Sequence, residues 1–498
     1  MCYTMRMAKN KNEKLTAKNE KRVRAQEQAL LKAENKKIQK EERAQLKKQA
    51  QDLAKIKKEE KVKRRQAERA LRREKFSKFR EKRLQLQESS LPLDNAALIY
   101  PASKNNEWNE IFRISAYLKD EVDPQKLQVA LEKTMQRFPY YNVALHKGFF
   151  WYYFQYLEQK PKVMQEELYP CQPFDFRGDK HLFRVLYYNK KVTCEFFHSL
   201  CDGFGGLNFM DCLLINYARE CGMQVDAKNF MINPNDIYDQ EELEDAFNRY
   251  ADLKSTNSRK EKSAYQVVGT PLVLGKLMVT SGKMRVDELK NVAKEQNCSL
   301  NELLLATLLY SINVDRVERK RKKPVKVSLP IDCRRFFQTK TMRNFSSYKN
   351  FSLEKQDVTL ADCIEVAKAG MSEINKEYLM KNINANVLAQ KNIFVRLMPL
   401  FIKDLALRYS FNTYGERLFS TAFSNLGLLK VPDEMREYVD SFEVMIGRAK
   451  LNSLNVATCS YNGMAVVTFT RRIQQSNVER VFFRTLASLG ISIDLYSN

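Results

Sequence analysis

Along residues 8–87 apolar positions are sparse. Val23, Leu31, Ile38, Leu46 and Leu53 recur about once every two helical turns in a background of Lys, Arg, Glu, Gln and Ala, with no Pro or Gly. That composition predicts one long helix. Its stripe is too thin for the a/d seam of a stable coiled coil, so the expectation is a charged, solvated helix. The pattern changes at Leu91, where LPLDNAALIYPASK brings in prolines, small residues and a short apolar run, the expected first strand of a globular unit. FRISAYL then alternates as a strand. Asp123 and Pro124 form an N-cap and N1 pair opening a helix with Leu127, Ala130, Leu131 and Met135 on one face, and Pro139 ends it. The aromatic run of residues 149–157 reads as one strand, aromatic on both faces, that is buried in the core or lines a channel, the core being preferred. A hairpin through Asn189, Lys190 and Lys191 delivers its second strand to His198. Leu207, Met210, Leu213, Leu214 and Tyr217 then follow helical spacing, with Gly222 as the stop.

The polar, locally acidic stretch 222–262 reads as the connection between halves. The second half opens with a strand near Thr270, a helix from Val286, and a capping box, Ser299-x-x-Glu302, ahead of the apolar LLLATLLYSI. VKVSLPID supplies a strand running into Arg334 and Arg335. Asn462-Gly463 marks a type I′ hairpin, and a last helix begins at Asn477. Each half mixes strands with helices packed on them, an α/β arrangement repeated twice: residues 89–265 and 266–498, preceded by the tail 1–88.

A chain of 498 residues with 44% hydrophobic content is too large for a single small domain. The best apolar stretch, residues 394–407, is interrupted by Arg396, Lys403 and Asp404, so no spanning helix is expected. The first residues, MCYTMRMAKNKNEK, lack the apolar core of a secretory leader, and the cytoplasm is the expected compartment. Ten cysteines without a C-x-x-C pair read as reduced thiols, and three histidines are too few for a His-rich metal site. The net charge of +25 is unevenly spread: residues 1–90 hold 30 Lys and Arg against 13 Asp and Glu. The tail is therefore the candidate for contact with anionic membrane or nucleic acid, and a membrane-peripheral location would follow.

His198, Ser199, Leu200, Cys201, Asp202 and Gly203 form H-x-x-x-D-G at the strand end. A neutral imidazole can take a proton from a hydroxyl or amine. Asp202 could touch that ring or pair with a cation holding the loop, and the second reading is preferred. Gly203, with Gly205 and Gly206 behind it, would give the backbone freedom for a sharp turn. Cys201 falls at a position pointing away from the histidine.

With PIDCRRFF followed by RNF (Arg343, Asn344, Phe345), and FSNLG from Phe423 to Gly427, the order of motifs resembles the coenzyme A-dependent acyltransferase superfamily, closest to its alcohol acetyltransferase-like branch. The likeness spans residues 91–498. It implies two chloramphenicol-acetyltransferase-like lobes with mixed sheets and flanking helices, and a tunnel between them. It also implies acyl-CoA as cosubstrate with no permanently bound cofactor or metal, and a small-molecule or lipid alcohol or amine as acceptor. On that resemblance His198 is the general base, Asp202 is structural, Arg334 is its positional partner, and Ser424 or Asn425 lies near the tunnel centre beside the developing oxyanion. Asn425 could equally be a turn-former ahead of Gly427. The D-F-G-W-G segment of the plant branch is absent, and the doubled histidine of condensation domains is here Phe197-His198. Two other functions remain to be compared: a condensation-type enzyme taking its donor from a carrier protein, and a non-catalytic basic binding protein on a degenerate acyltransferase fold.

Overall fold

The computed structural model describes residues 90–103, 110–166, 169–176, 178–228, 230–256, 261–273, 275–316 and 323–498. In the tail it describes Arg22, Val23, Lys32, Lys36, Lys37, Lys40, Arg43, Lys47, Lys48 and Lys63, all helical. The rest of the helix expected over residues 8–87 lies outside the described residues. The chain divides into two compact units, Met1–Glu88 and Ser89–Asn498.

All described strands belong to the second unit. In chain order the first seven are β1 (Ser90–Pro92), β2 (Ile111–Leu118), β3 (Val143–Lys147), β4 (Tyr152–Tyr156), β5 (Val163–Gln165), β6 (Phe183–Tyr188) and β7 (Lys191–Phe197). There follow β8 (Met278–Arg285), β9 (Val325–Asp332), β10 (Ser346–Leu353), β11 (Thr421–Leu428), β12 (Val439–Ile446), β13 (Leu454–Tyr461), β14 (Met464–Arg471) and β15 (Ile493–Ser497). They form a five-stranded sheet ordered β12-β2-β7-β6-β5, a seven-stranded sheet ordered β10-β9-β11-β13-β14-β8-β15, and a small sheet ordered β1-β4-β3. Both larger sheets are mixed: β5 runs parallel to β6, and β11 runs parallel to β9 and β13, among antiparallel neighbours.

A division at residue 265 does not separate these sheets cleanly. β12, from the second half of the sequence, completes the first-half sheet by pairing antiparallel with β2, Glu443 opposite Ser115. Helices Pro124–Arg137 and Gly203–Glu220 share the core of the five-stranded sheet. Asp123 caps the first, its carboxylate accepting from Gln125 N and Lys126 N. The other core centres on helix Leu300–Val314, opened by reciprocal bonds between Ser299 and Glu302. Its Leu303, Leu304, Leu305, Leu308 and Leu309 are fully buried, each contributing roughly 1.5–3 kcal/mol.

Two local expectations are corrected. The apolar run Ala96–Tyr100 is not a strand: Ala96–Leu98 is a 3₁₀ turn and Ile99–Ser103 a helix. Of the aromatic run only residues 152–156 form a strand, because Gly148 N donates to Trp151 O and turns the chain, leaving Phe149 72% exposed. The acidic connection 222–262 packs on the first half through Glu242, which is buried and bonded by both terminal nitrogens of Arg137 and by Tyr140 Oη.

Candidate active site

His198 sits just past the end of β7, a strand held from both sides. The buried Glu195 carboxylate accepts from Arg113, Arg184 Nε and Cys171 N, tying β7 to β2, β6 and a neighbouring loop. His198 N donates to Glu110 O at 2.8 Å. The half-buried ring stacks on Tyr100, with centroids 4.8 Å apart, and meets the Phe112 edge at 5.2 Å. Burial in this aromatic setting holds its pKa below the ordinary 6.5, outweighing the upward pull of the Asp202 charge and the Asn344 hydrogen bond.

Asp202 does not touch the ring in any described hydrogen bond. It caps helix Gly203–Glu220, accepting from Gly205 N at 3.2 Å. Arg334 meets it with Nη1 at 2.9 Å and Nη2 at 3.3 Å, while Phe345 N and Ser346 Oγ donate to it at 2.8 and 3.0 Å. Burial would push this carboxyl up, but the Arg334 charge and its hydrogen bonds, with those from Phe345 N and Gly205 N, hold it below its ordinary 3.8. Arg334 is no surface cation: it also donates to the carbonyls of Thr341 and Arg343 and lies over the Phe204 ring. The glycines after Asp202 do not adopt left-handed angles, contrary to expectation. They are needed for close approach: a Cβ on Gly205 would lie 2.1 Å from Met342 O, and one on Gly203 would lie 2.8 Å from Leu426 Cδ2.

Asn344 lies next to the His198 ring. Its Oδ1 is 3.0 Å from His198 Nδ1. Its Nδ2 faces Asp94 Oδ2 at 3.2 Å and the Ser199 carbonyl at 3.5 Å, both acceptors, so the amide cannot be reversed without setting oxygen against oxygen. The oxygen therefore faces Nδ1, which must carry the proton, leaving the Nε2 lone pair as the free acceptor. Asp94 is fully buried; it also accepts from Ala97 N and sits 3.6 Å from Arg343 Nε. Burial raises its pKa to about 6, and the Arg343 charge offsets only part of that. Asp94 and Tyr100 lay unassigned in the sequence reading. Their only signal was a carboxylate and an aromatic ring inside an apolar boundary segment.

Ser424 and Asn425 lie on β11, opposite Ala457 and Thr458 of β13. Asn425 Nδ2 donates to Asn301 Oδ1 on helix Leu300–Val314, and its Oδ1 accepts from Gly427 N, whose residue has φ 73°. Ser424 Oγ has no hydrogen-bond partner among the described residues. Cys201 is buried, and burial pushes its thiol far above the ordinary range. His146 pairs with Asp179 and His181 with Asn142, both away from this cluster. Among the described residues no group of side chains is arranged to hold a metal ion, and the cysteines are unpaired.

No family model matches the sequence, and no curated protein matches it. Solved structures do resemble the fold. TRI101 of F. sporotrichioides, complexed with coenzyme A and T-2, is 11% identical over 82% of this chain and 100% of its own, with a TM-score of 0.55. Polyketide synthase associated protein 5 from Mycobacterium tuberculosis is 12% identical over 80% of this chain and 96% of its own, with a TM-score of 0.54. The starter condensation domain of rhizomide synthetase, in complex with C8-CoA, is 12% identical over 82% and 96%, also with a TM-score of 0.54. With its mixed sheets and flanking helices, the chain shares the fold of these three solved structures.

Proposed function

We propose that the protein transfers an acyl group from a coenzyme A thioester to a hydroxyl or amine, with His198 as general base. The observation that carries this reading is the Asp94-Asn344-His198 chain, which presents Nε2 as a proton acceptor on an imidazole kept neutral by burial. Nε2 takes the proton of the acceptor as its oxygen or nitrogen attacks the thioester carbonyl carbon. The tetrahedral oxyanion collapses, the carbon–sulfur bond breaks, and the proton passes from Nε2 to the leaving sulfur. Ser424 or Asn425 is the candidate donor to the oxyanion. Asp202 and Arg334 hold the loop and take no part in proton transfer. Residues 1–88 act as an electrostatic attachment to anionic surfaces.

The test is release of free coenzyme A thiol from acetyl- and longer acyl-CoAs in the presence of candidate alcohols and amines. His198→Ala is expected to lower turnover by about 10²–10⁴ while the protein stays folded. Undiminished turnover in that variant would remove His198 as the base. Turnover only with an acylated carrier protein would favour the condensation-type alternative, and none with any donor the binding-protein alternative.

A further inference from the structure

The stretch that fails as a spanning segment, residues 394–407, is not buried. It forms parts of two helices, Ile393–Leu397 and Leu400–Tyr414, separated by Met398 and Pro399. Ile393, Phe394, Leu397, Phe401, Leu405 and Tyr409 are between 57% and 79% exposed, and Phe401, Leu405 and Tyr409 share a face at four-residue spacing. The helix is fastened by its other side. Leu400 is buried and its N–H donates to Phe149 O; Lys403 lies 3.5 Å over the Trp151 ring and donates to Phe150 O; Tyr152 Oη donates to Asp404. The apolar face is thus held outward by contacts behind it, and exposed Phe149 extends it. A surface of this kind on a water-soluble body marks an interaction site.

Charge selects the partner. Between residues 382 and 415 the chain has four basic side chains and one acidic, Asp404, which Tyr152 engages. Lys391, Arg396 and Arg408 are exposed on these two helices and the end of the one before them. Residues 1–90 are strongly basic, and a second copy would bring the same cations, so both would meet this rim with like charge. Apolar side chains ringed by cations fit an anionic bilayer, whose headgroups take the charges while the boundary below takes the rings. We propose that this face docks on an anionic lipid bilayer. The docking helix Leu400–Tyr414 packs against helix Ile99–Ser103, which carries the Tyr100 ring stacked on His198.

The experiment is sedimentation of the full chain with phosphatidylcholine vesicles, with and without about 30% phosphatidylserine, at low salt and at about 0.5 M salt. The basic tail contributes a salt-sensitive component; the apolar face contributes one that survives salt. Combining Phe394→Ser, Phe401→Ser and Leu405→Ser should weaken the salt-resistant component by about 10²-fold without shifting the melting temperature, since these side chains are exposed. Lys391→Gln with Arg396→Gln should reduce the preference for phosphatidylserine. If the triple variant misfolds, Phe394→Trp decides: its emission should shift to the blue on anionic vesicles. Undiminished binding by the triple variant, an unshifted Trp emission, or equal binding to neutral vesicles would each overturn the proposal. So would conversion of a dimer to a monomer with vesicle binding intact, which would assign the face to a second copy.

Discussion

Two buried aspartates flank the His198 loop, and they are solved differently. On the Asp202 side an arginine with two nitrogens, two backbone N–H groups and a hydroxyl surround one carboxylate, and the charge stays below its ordinary pKa. On the Asp94 side the arginine stands 3.6 Å off and the carboxyl rises to about 6. Burial is common to both, so the closeness of the arginine and its fellow donors, set against the neighbouring Asp245 charge that pushes Asp94 up, decides the sign of the shift. A permanent charge suits a clamp. A carboxylate that is ionised near neutral pH and reaches His198 only through an amide suits the setting of a tautomer.

The comparison breaks most visibly at Arg334. Arg334→Ala strands the Asp202 charge and should cost about 3–5 kcal/mol in urea unfolding. A double-mutant cycle with Asp202→Ala should show strong coupling, and additive effects would dissolve the clamp. Smaller is Asn344→Ala, which frees the imidazole to protonate at either nitrogen: kcat should fall about 10- to 10²-fold with KM little changed, beside a stability loss of about 1–3 kcal/mol from the stranded Asp94 carboxylate. A rise in KM alone would make Asn344 a substrate contact instead. Smallest is Asp94→Asn, expected to lower kcat less than about tenfold.

The pH dependence sharpens the same contrast. Asp94 has a folded pKa above the ordinary 3.8, so its protonated form favours the fold, and that contribution disappears as pH rises from about 4 through about 6. Asp202, depressed below 3.8, contributes above that value and loses its contribution as pH falls. Urea unfolding between pH 4 and 7 should therefore lose a declining component in Asp94→Asn. The acid limb of kcat/KM should fall below pH 6.5, where His198 protonates, and should be less steep in that variant.

What was legible in the sequence was local. The Asp123-Pro124 start, the Ser299–Glu302 box and the Asn462-Gly463 turn each rest on residues at most three apart, and Asn462 and Gly463 both have positive φ as a type I′ turn requires. His198, Asp202 and Arg334 were legible because motif order stood in for distance. Asp94 was not: its bond to Asn344 spans 250 residues, and nothing near either residue signals the other. Phe149 and Phe150 were misread because hydrophobicity alone cannot tell a buried strand from a surface turn. The close approach at Gly203 and Gly205 was not legible either, since the neighbours that crowd them, Leu426 and Met342, come from segments far along the chain.

The strand β12 bears on how the protein is born. Its Glu443 reaches back 326 residues to Tyr117. While the ribosome is still translating the second half, β2 has an open edge with unpaired amides and carbonyls, and at ordinary elongation rates that edge waits on the order of tens of seconds for its neighbour. The strand β7, which leads to His198, lies on the other side of β2, so the loop bearing that residue reaches its final support only after most of the chain has emerged. Nascent chains stalled before residue 439 should need chaperone cover, whereas those released after it should not.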